Sequence, residues 1–190
     1  MTNTTTTQVT NGVDVTRLFE TVNAVKAAPQ LASFAFRVQN RWMGGGENHS
    51  EVTGFYGCGQ EIQHAQQFTL VADEPDILLG KDKCANPGEY LLHALAACVT
   101  SALVYHAAAR GITIERVESS LEGNLDVRGF LGLDPAIRNG YQQIRMKLKI
   151  KANVTDEQFE ELGCLGPMFS PVFDSVTKGV PVAVSAERMA

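Results

Sequence analysis

Residues 87–110 read PGEYLLHALAACVTSALVYHAAAR, and this stretch decides the fold. It is apolar nearly all round, opens with Pro87, carries the acid Glu89 in its first turn and stops before Gly111. Proline and an acid at the start and glycine after the end are boundary signals of a helix. A helix without a polar face must be covered on most sides. The stretch therefore predicts one long buried central helix, whose many alanines let neighbouring backbones approach closely.

Before the central helix, alternating apolar residues predict an antiparallel meander of three strands. The strands are residues 33–42, 50–56 and 67–72, and a glycine-rich turn, MGGGENHS, follows the first of them. Residues 73–87 contain two prolines and mixed charges, have no apolar period and predict a crossing loop. The acids Asp73 and Glu74 in this loop are expected to be solvated.

Beyond the central helix, the pattern predicts further strands and two helical stretches. Residues 112–127 and 141–152 alternate as two long half-buried strands, and residues 180–185 form a final strand. Thr155 and Gln158 have the spacing of a capping box at the start of a short helix over residues 155–161. Residues 164–177 are expected to be helical in part.

The N-terminal part is predicted to be an extension of a single domain. Residues 1–12 contain a run of threonines, lack apolar periodicity and are expected to form a disordered tail. Apolar residues at helical spacing over residues 14–28 predict an amphipathic helix, which Pro29 ends. A chain of 190 residues has the length of one domain. We therefore predict one domain over residues 13–190, with residues 13–32 as its N-terminal helical extension.

Composition and charge argue against several classes of function. The formal net charge is -5 and no cluster of Lys and Arg interleaves with aromatic residues, so nucleic acid is not an expected partner. No positively charged N-region precedes an apolar run, and no uninterrupted apolar stretch approaches the roughly 18 residues of a membrane span. We expect a cytoplasmic protein without a membrane partner. Four cysteines without a CxxC pair or zinc-site spacing predict thiols, with no metal and no cofactor.

Four separated motifs carry a family resemblance. They are ADEPDILLGKDKCANPGEYLLHALAAC at residues 72–98, HAAARGI at 106–112, LDVRGFLGLD at 125–134 and SPVFDSVTKGVPV at 170–182. In this order they resemble the OsmC-like proteins, which include the organic hydroperoxide resistance enzymes, over residues 34–187. The resemblance implies an α+β fold, with antiparallel sheets packed around long central helices in an intertwined homodimer. Self-association also supplies the cover that a helix without a polar face needs.

The resemblance implies that Cys98 is a peroxide-reducing thiol. In this chemistry a thiolate attacks the O–O bond and becomes a sulfenic acid, which a second thiol converts to a disulfide. Cys98 lies in mid-helix, where the helix dipole helps little, so nearby cations or hydrogen-bond donors must stabilise the thiolate. Residue type alone favours the alternative that Cys98 is a small core residue in an alanine-rich helix.

The resemblance also points to supporting residues, although the sequence departs from the enzymes here. Glu89 stands where other OsmC-like branches carry a glutamate, and it either orients a guanidinium or favours the helix start. The activating arginine of the enzymes belongs to the glycine-rich turn, which has no arginine in this chain. Arg41, just before that turn, is the nearest candidate, and its alternative role is that of a solvated strand residue.

The second thiol is the largest departure from the enzymes. Where they have a cysteine before Pro-Val, this sequence has Ser170, and serine forms no disulfide. Cys164 could resolve the sulfenic acid only if its Cα atom lies within about 7 Å of that of Cys98. Otherwise the chain is a one-cysteine enzyme that uses an external thiol, or it is no peroxidase at all. A Cys–His pair within the helix is not expected, because neither His93 nor His106 lies three or four residues from Cys98.

The leading functional hypothesis is thiol-dependent reduction of organic hydroperoxides at Cys98. The alkyl tail of the substrate would lie in an apolar pocket at the dimer interface. The alternative is a non-catalytic protein that keeps the fold and binds a hydrophobic small molecule in that pocket. Ser170 and the missing arginine favour the alternative, whereas Cys98 favours the enzyme.

Overall fold

The computed structural model describes residues 7–189, which form two compact units that meet in sequence inside the central helix. The first unit extends to His93 and the second begins at Ala94. Both units contain helices and antiparallel strands. This confirms the predicted α+β class.

The first unit opens with a small hairpin that leads into an amphipathic helix. Strands β1 (Val9–Thr10) and β2 (Val13–Asp14) pair with each other, and helix α1 (Val15–Ala27) follows. The carboxylate of Asp14 accepts a hydrogen bond from the amide of Arg17 and so caps α1. Residues 1–6 of the predicted disordered tail lie outside the described residues. Val9–Thr10, also within the predicted tail, form strand β1.

An antiparallel sheet of four strands forms the middle of the first unit. Strand β5 is central, with β3 and β4 along one edge and β6 along the other. The strands are β3 (Ala35–Phe36), β4 (Gln39–Gly44), β5 (Glu47–Gly57) and β6 (Gln60–Ala72). The predicted meander is confirmed. Strand β6 starts earlier than predicted, directly after a two-residue turn at Cys58 and Gly59, both with positive φ.

The loop after β6 is organised around one buried carboxylate, so the prediction of a solvated Asp73 is wrong. Asp73 is 1% exposed and accepts hydrogen bonds from the amides of Glu74, Lys81 and Lys83 at 2.9, 3.1 and 3.5 Å. Burial raises the pKa of a carboxyl group, but these bonds and the charge of Lys81 together hold the pKa of Asp73 below its usual value. Gly80 is needed here, because a Cβ atom would overlap the carbonyl group of Glu74.

Helix α2 (Pro87–Ala109) confirms the predicted central helix, but within one chain it buries a single face. The buried residues recur at helical spacing: Leu95, Val99, Leu103, Ala107 and Ala108. Within the described residues, α2 is also the one helix long and apolar enough to cross a membrane, with 28% of its most apolar window buried. Glu89, His93, Thr100 and Ser101 interrupt its apolar residues, and the core helix of a soluble protein passes the same test of length and composition.

After α2, the second unit consists of a two-stranded antiparallel sheet and three helices. Its elements after α2 are β7 (Ile114–Asn124), α3 (Val127–Phe130), β8 (Gln143–Ala152), α4 (Asp156–Phe169) and α5 (Pro171–Lys178). The predicted Thr155–Gln158 capping box is present at the start of α4. The core of this unit consists of Ala107, Ile112, Leu162 and Leu165.

Residues 180–185, predicted as a final strand, have no strand conformation. Val180, Val182 and Val184 are 60%, 79% and 89% exposed. A strand needs a neighbouring backbone with which to exchange hydrogen bonds, and no such bond forms here among the described residues. The alternating valines predict a strand, but no strand among residues 7–189 pairs with them.

Candidate functional site

Cys98 is half-buried in α2, beside the fully buried Val99. Residues three and four apart are neighbours on a helix surface, so Cys98 shares a stripe with Ala94, Ala102 and the 51% exposed Tyr105. Within residues 7–189, no hydrogen bond or ion pair engages the Cys98 thiol. The thiol therefore lies on a helix face that the rest of its own unit leaves partly uncovered.

An apolar cleft of about 420 Å³ opens in the second unit. The inward side chains of β8 form one wall, and residues of α4 and α5 form the other. The lining is dominated by Leu95, Ile144, Met146, Phe159, Phe173 and Val176. The volume falls within the range of about 300–1,000 Å³ that is usual for small-molecule sites. Leu95, which lines this cleft, precedes Cys98 by about one turn of α2, whereas Cys98 is not itself one of the lining residues.

Cys164 lies on the wrong face of α4 to meet Cys98 in the same chain. Leu162 and Gly166 belong to the buried face of α4, and a Cβ atom on Gly166 would lie 2.8 Å from the carbonyl oxygen of Val99. That face is therefore the one against α2. A helix turns by about 100° per residue, which places the exposed Cys164 on the opposite side. The single chain does not orient the two thiols for a disulfide.

Ser170 caps a helix. It lies between α4 and α5, is 2% exposed, and its Oγ accepts a hydrogen bond from the amide of Phe173 at 3.1 Å. Pro171 occupies the first position of α5, where its missing N–H costs nothing. Serine is one of the preferred residues for this cap. The residue that replaces the second thiol of the enzymes thus has a structural role of its own.

Glu89 closes a capping box at the start of α2. The amide of Asn86 donates to Oε2 of Glu89, and the amide of Glu89 donates to Oδ1 of Asn86, both at 2.8 Å. This reciprocal pair satisfies two amides that a helix start leaves unbonded. Of the two roles considered for Glu89, these contacts correspond to the helix-start role.

Arg41 is exposed on β4, directly opposite His49 of β5. It lines a small polar cleft of about 170 Å³ together with Glu51 and Thr69 on the same sheet face. In the part of the chain that the structure describes, no ion pair engages its guanidinium, and no group of three or more His, Cys, Asp or Glu residues is placed to hold a metal ion. Arg41 and Glu89 belong to the first unit, whereas both candidate thiols belong to the second.

A cluster around His106 was not predicted from the sequence. The imidazole stacks on Phe169 of α4, with ring centroids 3.7 Å apart and planes inclined by 14°. Arg110 donates to the carbonyl oxygen of His106 at 3.0 Å and to Glu161 of α4 at 2.9 Å. Partial burial, and then the charge of Arg110, lower the pKa of His106 from its usual 6.5. Only the four-residue spacing of His106 and Arg110 was visible in the sequence, because Glu161 and Phe169 lie on another helix.

The sequence and the fold were compared with those of known proteins. Residues 80–185, more than half of the chain, match the sequence profile of the OsmC-like protein family. No curated protein matches the sequence significantly. Solved structures, in contrast, share the fold over about three quarters of this chain and most of their own length.

Three of these structures illustrate the similarity. An OsmC-like protein from Mycoplasma pneumoniae is 19% identical with a TM-score of 0.57, and the match covers 76% of this chain and 88% of that one. An organic hydroperoxide resistance protein OsmC from Legionella pneumophila is 18% identical with a TM-score of 0.51, covering 76% and 91%. An OsmC-like protein from Vibrio cholerae is 14% identical with a TM-score of 0.51, covering 75% and 93%. The chain belongs to the OsmC-like protein family.

Proposed function

We propose that this protein reduces organic hydroperoxides, as a defence against oxidative stress, with Cys98 as the attacking thiol. One observation carries the proposal: Cys98 is half-buried one helical turn beyond Leu95, which lines an apolar cleft of about 420 Å³. A ligand-sized apolar space in the unit that carries the thiol suits a substrate with an apolar tail and a peroxide head. Membership of the OsmC-like family and the name of the Legionella pneumophila relative point in the same direction.

The proposed reaction has two stages. The Cys98 thiolate attacks one peroxide oxygen, the O–O bond breaks, and the alkoxide takes up a proton and leaves as an alcohol, while the sulfur becomes a sulfenic acid. An external thiol then condenses with the sulfenic acid and releases water. A second equivalent of thiol exchanges with this mixed disulfide, which restores Cys98 and releases the oxidised reductant. An external reductant is proposed because Ser170 cannot form a disulfide and Cys164 faces away from α2.

The protein is proposed to act in the cytoplasm as a homodimer. In this arrangement a second copy covers the part of α2 that one chain leaves exposed, as the apolar composition of the helix requires. Arg41 is proposed to stabilise the thiolate, since its guanidinium is not engaged in an ion pair within the described residues. Glu89 is proposed to contribute by fixing the start of α2. The peroxide assay with Glu89→Gln also tests whether Glu89 orients Arg41.

The test measures loss of cumene hydroperoxide in the presence of dithiothreitol. Cys98→Ser is expected to lower turnover about a hundredfold or more, because the nucleophile is removed. Cys58→Ser is the matched control, since Cys58 is an exposed thiol in the turn between β5 and β6, and its turnover should equal that of the unaltered protein. Arg41→Gln should lower turnover at neutral pH, whereas Glu89→Gln, which keeps an acceptor for the cap, should change it little.

Mass spectrometry after one equivalent of peroxide, without reductant, addresses the second thiol. A trapped sulfenic acid at Cys98 is the expected product, and a Cys98–Cys164 disulfide would show instead that Cys164 resolves it. Equal, slow peroxide loss by the unaltered protein and Cys98→Ser would contradict the enzyme proposal. In that case saturable binding of a fluorescent fatty acid would support the alternative, a non-catalytic binder of apolar molecules. The helix-capping role of Ser170 is the observation that favours this alternative.

A further inference from the structure

The contacts of His106 tie α2 to the helices that enclose the apolar cleft. Phe169, on which the imidazole stacks, is the last residue of α4. The next residue, Ser170, is the buried cap from which α5 starts. Helices α4 and α5 contribute Phe159, Phe173 and Val176 to the cleft. The stacked pair therefore holds the junction between α4 and α5, which together form one wall of the cleft, against α2.

Two charged groups face His106 among the described residues. Arg110 comes from its own helix, with Nη1 3.4 Å from Nδ1 of the imidazole, and Glu161 of α4 is reached through Arg110. At this distance a neutral imidazole can accept the guanidinium hydrogen at Nδ1, with the tautomer that carries its proton on Nε2. A protonated imidazole has no free lone pair, so this bond is lost and two cations come into contact.

We propose that His106 is a pH-sensitive latch on the apolar cleft: its protonation breaks the contact with Arg110, releases Phe169 and frees the corner between α4 and α5. The latch regulates the same cleft to which the proposed function assigns the substrate, and its biological use rests on that proposal. The latch itself is a property of the packing of α2 on α4. It is closed when the ring is neutral and open when the ring is protonated.

The direction of the pH dependence follows from the lowered pKa of His106. Burial, and then the charge of Arg110, disfavour the protonated ring and lower the pKa of His106, whereas a cation–π attraction to Phe169 acts in the opposite direction. The closed packing therefore favours the neutral ring. Its stability is fully present above the unfolded-state value near 6.5 and is lost as the pH falls toward the lower pKa of the folded state.

The test follows the fluorescence of 1-anilinonaphthalene-8-sulfonate, which binds exposed apolar clefts, from pH 7.5 to 5. The unaltered protein is expected to bind about threefold more dye at low pH, with a midpoint below 6.5, while far-UV circular dichroism stays constant. His106→Gln and His106→Phe, which cannot be protonated, should show no such rise. His93→Gln is the matched control, because His93 is an exposed histidine of the same helix, and it should keep the full transition.

Three results would overturn the latch. The first is dye binding by the unaltered protein that does not change with pH, and the second is an unchanged transition in both His106 variants. The third is a rise that coincides with loss of the circular dichroism signal, which would indicate global acid unfolding. The assay uses neither peroxide nor reductant, so a failed latch leaves the peroxide proposal standing. A failed peroxide assay likewise leaves the latch testable.

Discussion

Ser170 stands where the resemblance to hydroperoxide resistance enzymes implies a cysteine, and its contacts explain what a serine does there. Its hydroxyl accepts the Phe173 amide at a buried junction between two helices. A thiol is a much weaker acceptor than a hydroxyl, so the two residues suit different tasks at this position. The chain has a stronger helix cap where those enzymes have a second redox-active sulfur.

Ser170→Ala is expected to destabilise the protein, because the amide of Phe173 loses its acceptor in a buried position. Loss of an N-cap serine costs about 1 kcal/mol, which lowers Tm by about 2–4 °C in a chain of this size. Calorimetry measures the change. Ser175→Ala is the matched control: Ser175 is exposed and its hydroxyl only donates to the carbonyl of Pro171 within α5. A change of less than about 0.5 kcal/mol is expected there, and equal losses in the two variants would refute the cap.

Local residue roles were predictable where the partners are close in sequence. The Thr155–Gln158 cap follows from a three-residue spacing, and a helix-start role for Glu89 follows from an acid in the first turn of α2. The structure contains the cap and gives Glu89 contacts at the helix start. Asp73 and His106 were not predictable, because their environments are assembled from distant positions. The carboxylate of Asp73 is held by amides up to ten residues away. Phe169, which stacks on His106, belongs to α4, and the sequence does not show that this helix packs against α2.

At the scale of elements, the contact between α2 and α4 depends on the small size of Gly166. Leu162 and Leu165 of α4 are buried beside it and pack in the core with Ala107 of α2. A glycine lets the backbone of α4 approach α2 at Val99. This close approach holds the wall of the cleft that α4 supplies.

Gly166→Ala is expected to destabilise the protein, although alanine favours helices more than glycine. The added Cβ would lie 2.7 Å from Cγ1 and 2.8 Å from the carbonyl oxygen of Val99, and overpacking of this kind costs about 1–3 kcal/mol. Gly163→Ala in the same helix is the matched control, since its Cβ meets no atom within 4 Å. It should stabilise the protein by up to about 1 kcal/mol.

Urea unfolding gives both free energies of unfolding and so compares the two alanine variants directly. Opposite signs are expected for Gly166→Ala and Gly163→Ala. Stabilisation of similar size in both would mean that α4 is free to move away from α2, and the close contact would then not hold the cleft wall. Destabilisation in both would point to a general intolerance of α4 instead of a specific contact at Val99.

Helices and strands were predictable where apolar periodicity and boundary residues agree. They were less predictable where a strand forms only if a neighbouring strand is available for pairing. Helix α2 and strands β7 and β8 follow the predicted pattern, because their apolar periods are long. Residues 180–185 alternate equally well but form no strand. Alternation states which face of a strand is apolar, whereas pairing requires a free strand edge at the right place. The short helix α3 was missed, since four residues are too few for a period.

At the scale of the whole molecule, the unburied part of α2 is the feature that a single chain does not explain. Tyr105 is 51% exposed and lies on the stripe of Cys98, between alanines that permit close approach of another backbone. The exposed apolar face of such a helix is expected to be buried against a partner protein. The resemblance predicts that this partner is a second copy, and that prediction is open to a direct test.

We expect the purified protein to be a dimer in analytical ultracentrifugation. Tyr105→Glu should raise the Kd of the dimer at least tenfold, which corresponds to about 1.4 kcal/mol, because a buried charge replaces an aromatic residue of the interface. Val22→Glu is the matched control. Val22 is a partly exposed apolar residue of α1, outside the segment that matches the family, so its substitution should leave the dimer intact. Unchanged far-UV circular dichroism must accompany dissociation. A monomeric unaltered protein, or Tyr105→Glu dimers as stable as those of Val22→Glu, would show that this stripe is not the interface and that another surface covers α2.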